Sequence, residues 1–81
     1  MNTEWVKEIK RLAAMKGVAK TCVENFLGTV ENNYSEAIAL YNLEYDSRMY
    51  HWNAETVEAI RKGIVHYFRK VKGQINAKVV V

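Results

Sequence analysis

The chain has 81 residues, room for a single domain that hides about 60 to 65% of the surface its unfolded form exposes. Apolar residues make up 49% and charged ones 26%, too hydrophobic for a disordered chain, and zero prolines with four glycines argue against many short strands joined by tight turns. The net charge of +3 is uneven: five Lys/Arg against four Glu in residues 1–33, one Arg against three acids in 34–52, and six Lys/Arg against two Glu in 53–81.

A first helix begins at Thr3, its cap, with Glu4 and Glu8 near the positive end and Trp5, Ile9 and Leu12 as the apolar stripe, and runs to about Lys16. Beyond Gly17, Ala19, Cys22, Val23, Phe26, Leu27 and Val30 continue a 3.6-residue period. Gly28 suits a left-handed C-cap, and 29–33 reads as a connector.

Residues 34–53 fit two periods. Asn33 with Glu36 resembles a capping box, and Tyr34, Ile38, Tyr41, Tyr45 and Met49 share one helical face. Yet Tyr41, Leu43 and Tyr45 alternate with Asn42, Glu44 and Asp46, so a hairpin at about 41–53 is the alternative. Ala37, Ala39 and Leu40 tilt the reading to helix.

The last helix has Asn53 as N-cap, Glu55 and Glu58 in its first turns, and Val57, Ile60, Ile64, Phe68 and Val71 as the buried stripe. Glu58 and Lys62 make an i, i+4 pair, Lys70 and Lys72 complement the negative end, and Gly73 stops it. The β-prone "AKVVV" is a frayed tail or an edge strand. The expected fold is mainly α, a single small domain of three to four helices, with α+β as the alternative.

In "LAAMKGVAKTCVENFLG", residues 12–28, a lone Gly interrupts what otherwise reads as one long helix. As a turn it makes sense: Ala13 lets a second helix approach, Gly17 takes a positive φ without Cβ strain, Val18 plugs the turn, and Val23 and Leu27 pack the second helix on the first. That layout resembles the helix-turn-helix of bacterial repressors of the lactose/galactose type. "NAETVEAIRKGIVHYF", residues 53–68, is similar to the helix that follows the recognition helix there. The chain departs from that family in some twenty residues between the two parts and in lacking the large sugar-binding domain.

The resemblance implies double-stranded DNA as partner, with the helix from about Ala19 to Leu27 entering the major groove by its N-terminal end. Lys20, Thr21, Glu24 and Asn25 are its outward side chains, with Lys16 beside them. On that resemblance Asn25 would bond adenine, Thr21 would touch a thymine methyl, and Lys20 would reach guanine or a phosphate. Glu24 accepts from cytosine but is repelled by phosphate. Arg69 and Lys70, with Lys62 and His66, form a polar face that can hold the phosphate backbone. Paired recognition helices one DNA turn apart make a homodimer the expected state. The expectation is a small regulator, of the kind suited to phages and mobile elements, acting by occupying an operator.

The rival reading is a helical interaction module or phage-encoded inhibitor that binds a host protein through Tyr41, Tyr45, Tyr50 and Trp52. Lone Cys22 excludes an internal disulfide and suits a small core position. No spacing of Cys and His suggests a metal, no cofactor motif is present, and no nucleophile has an evident base, so the chain does not read as an enzyme. No apolar run resembles a signal peptide or a membrane span, which points to the cytoplasm.

Overall fold

A computed structural model describes residues 3–18 and 20–71, and of Lys20 the backbone alone. Four α-helices follow one another: α1 (Thr3–Met15), α2 (Lys20–Val30), α3 (Glu36–Met49) and α4 (Ala54–His66), which passes into a π-helical turn over Tyr67–Val71. Among the described residues there is no strand, so the hairpin at 41–53 is not formed. Each helix packs against its chain neighbour and α4 returns onto α1, closing a four-helix ring.

Helix α1 stops after Met15 because Gly17 adopts φ +75°. The Gly17 N–H donates to Ala14 O at 3.2 Å and the Val18 N–H to Ala13 O at 3.0 Å. Together these bonds make a Schellman motif, which satisfies carbonyls the helix end would leave without partners. Val18 folds back onto the core beside fully buried Ala13.

Helix α2 buries Val23, Phe26, Leu27 and Val30 on one side. Gly28 does not end it. The helix continues to Val30, and among the described residues Gly17 is the glycine with positive φ. The connector is accordingly 31–35. There the Asn33 side chain donates to Thr29 O at 3.2 Å and accepts from Asn42 Nδ2 at 3.1 Å, tying the end of α2 to α3. Because Asn33 is so engaged, the capping box with Glu36 is not made. Ser35 is the N-cap instead, its Oγ accepting from the Ile38 N–H at 3.2 Å.

Helix α3 closes on a left-handed residue as α1 does, with one of the two bonds of that motif. His51 sits at φ +56° and the Trp52 N–H reaches Ser47 O at 3.0 Å, so Trp52 is folded inward where Val18 is in the first turn. Its ring meets Phe26 edge-on at 5.4 Å.

Asn53 occupies the N-cap position of α4 with an extended backbone but makes no side-chain cap bond. Its Oδ1 instead accepts from the hydroxyl of fully buried Thr56 at 2.7 Å. Ile60 and Ile64 carry the buried stripe as expected, while Val57 and Phe68 are half-buried against the core. Val71 is exposed, since the π-helical turn rotates it off the core side. Glu58 pairs with Arg61 at 2.6 Å rather than with Lys62. Lys72, Gly73 and the stretch 77–81 lie outside the described residues.

The α1–α4 contact has one specific lock. The Trp5 indole lies over Gly63 so closely that a Cβ there would collide with it, and its Nε1–H donates to Ala59 O at 2.9 Å. Glycine is required here for close approach, not for backbone freedom.

Candidate nucleic-acid interface

The joined helices α1 and α2 present the residues expected to read DNA. Thr21 and Asn25 are exposed on the side of α2 opposite Val23 and Val30, at the spacing that puts both on one helical face. Lys20 opens the helix, and its side chain lies outside the description. Lys16 is exposed beside the turn, where its charge helps hold the Glu55 carboxyl below its usual range, after the larger effects of hydrogen bonds from the Asn53 side chain and the backbone.

Glu24, the carboxylate least suited to a phosphate-lined groove, has an internal partner. Lys10 Nζ lies 2.7 Å from its Oε1. This half-exposed pair bridges α1 and α2; such pairs add at most about 1 kcal/mol, but it cancels the negative charge locally. Lys10 also belongs to a row of cations that sequence reading did not count among the candidate contacts. Lys7, Lys10 and Arg11 follow i, i+3, i+4 spacing and line one shallow groove of α1 with Ala14 and Met15. That spacing was the available signal. Arg11 is held by Glu8 through Nε at 3.0 Å, which raises the guanidinium and lowers the carboxyl.

The basic face of α4 is organised differently from expectation. Arg69 is not a free phosphate contact: it grips Glu36 through two bonds, of 2.8 and 3.1 Å, which raises its pKa. It thereby fastens the π-helical turn to the start of α3. Arg61 is paired with Glu58. Lys62, His66 and Lys70 line the same shallow groove and have no ion pair among the described residues.

The aromatic candidates separate. Tyr41, Tyr45 and Tyr50 are exposed, but Trp52 is in the core at 7% exposure, because the left-handed turn at His51 directs it onto Phe26. It is not a surface residue, and its Nε1–H is buried with no hydrogen-bond partner among the described residues.

Among the described residues, no group of three His, Cys, Asp or Glu is arranged to hold a metal, and no helix is long and apolar enough to cross a membrane. Cys22 is half-buried against the core. No known protein family, curated protein or solved structure matches the chain.

Proposed function

We propose that α1 and α2 form a helix-turn-helix that enters the DNA major groove with the N-terminal half of α2, and that the protein acts as a small regulator by occupying an operator. The observation that carries this reading is the left-handed turn at Gly17, φ +75°. It lays α2 across fully buried Ala13 while Thr21 and Asn25 face outward. A hydroxyl and a carboxamide on one face offer base-edge contacts, and exposed Lys7, Lys16 and Lys70 are candidates for phosphate contacts. The Lys10–Glu24 pair removes the principal electrostatic objection. Two copies would present two recognition helices about one DNA turn apart, and such a regulator works in the cytoplasm.

A DNA-binding titration across a salt series tests the proposal. Lys20→Ala/Asn25→Ala should relax sequence discrimination by about 1 to 3 kcal/mol. Lys7→Ala/Lys70→Ala should weaken all sequences alike and reduce the salt slope. A parent protein that retains no DNA at low salt would refute it.

A further inference from the structure

We infer that the outward face of α3 is the contact between two copies of this chain, paired antiparallel. Eight large apolar or aromatic residues are exposed among those described, and six lie between Tyr34 and Tyr50. Four of the six form one stripe on α3. Ile38, Tyr41, Tyr45 and Met49 are spaced by three, four and four residues, which at 100° per residue places them within one face opposite buried Ala39 and Leu43. The first two steps are those of a coiled-coil seam, and Tyr34 precedes the N-cap Ser35, outside the helix.

These four side chains are 43, 71, 54 and 49% exposed in that order. They offer at most on the order of 450 Å² of surface per copy. Two such faces together would remove at most on the order of 900 Å² from water, the size of a weak, reversible interface.

The charge along the stripe selects both the partner and its direction. No stripe residue is charged. One edge carries Glu44 and Arg48, an ion pair at 2.7 Å that remains largely exposed, and these two line a shallow groove with Tyr41, Tyr45 and Met49. In an antiparallel helix pair the same edge of each helix faces its counterpart. The partner therefore reads base then acid where this chain reads acid then base, and each Glu44 meets the partner's arginine. A parallel pair would set this edge against the one bearing Asn42 and Asp46, where Glu44 meets an amide and an acid but no base. The surface is thus complementary to itself through a two-fold axis, as an isologous dimer requires.

This inference does not rest on DNA binding. Sedimentation of the full chain over a concentration series, without nucleic acid, should give a monomer–dimer equilibrium. Tyr41→Asp/Tyr45→Asp should raise the dissociation constant at least about 100-fold with unchanged helix content, because neither ring is part of the core. Arg48→Glu should weaken the dimer, and Glu44→Arg/Arg48→Glu should restore it, since the swapped edge is again complementary to itself. A chain that stays monomeric to about 0.5 mM, or a dimer that survives the tyrosine double variant, would overturn the inference. DNA binding by the monomeric variant would separate the two proposals.

Discussion

The molecule contains two helix pairs joined by the same kind of left-handed turn, and they use their apolar residues in opposite ways. In the first pair the turn residue is Gly17, and α2 directs its large side chains, Val23, Phe26, Leu27 and Val30, into the core. In the second the turn residue is His51, and α3 buries Ala39 and Leu43 while its tyrosines face outward. A 3.6-residue period therefore identifies a face without saying which way it points. When both sides of a helix are apolar, the partner helices decide.

The largest effect should come from mutating the two faces of α3. Leu43→Ala removes a side chain at 1% exposure and should cost about 2 to 5 kcal/mol. Tyr41→Ala, measured below the concentration at which chains pair, should stay within about 0.5 kcal/mol of the parent. Chemical denaturation distinguishes them, and equal losses would erase the proposed asymmetry.

Gly63→Ala should follow. Its new Cβ meets the Trp5 ring, and displacing a packed indole should cost about 1 to 3 kcal/mol. In a chain this short each kcal/mol lowers the Tm by about 4 to 8 °C. The two tryptophans sharpen the contrast further. Trp5→Phe loses the bond to Ala59 O, whereas Trp52→Phe removes an N–H with no partner among the described residues. The first should be the more destabilising by about 1 to 2 kcal/mol.

The turns themselves differ by less. Gly17→Ala puts a Cβ on a positive φ and should cost about 1 kcal/mol, while His51→Gly should add about 0.5 to 1 kcal/mol by relieving the strain that Gly17 avoids. A loss at His51 would mean that its side chain holds the turn in some other way.

The smallest effect is in acid. Glu8 and Glu55 are both held below the usual carboxylate range, first by hydrogen bonds from Arg11 and Asn53 respectively. A carboxyl depressed in the folded state contributes stability above its unfolded pKa of about 4.3 and loses that contribution as pH falls through the folded value. Glu55→Gln should therefore lower the Tm slightly in the neutral region, flatten the acid limb that begins at about pH 4.3, and leave the most acidic end of a Tm-against-pH profile nearly unchanged.

Much of the candidate interface was legible in the chain itself. Ala13, Gly17, Val18, Val23 and Leu27 stand where their sizes and Gly17's conformational freedom require, because a turn between two helices is a local event. The partners of Glu24 and Arg69 were not legible. Lys10 and Glu36 lie 14 and 33 residues away along the chain, and only helix packing brings them close. The left-handed position at His51 carried no signal of its own, since histidine occupies that region far less often than glycine. Gly28 shows the converse: a residue able to end a helix does so only when the carbonyls behind it find partners elsewhere.

Composition, hydrophobic period and the Gly17 stop were enough to determine that this chain is helical, that its first two helices meet at a turn, and that Ile60 and Ile64 belong to the core. These properties arise from interactions within a few residues, where spacing and side-chain size suffice. Tertiary structure alone decided that Trp52 is buried, that Trp5 rests on Gly63, and that the tyrosine face of α3 is left outside. Each of those depends on which surface another helix has already covered.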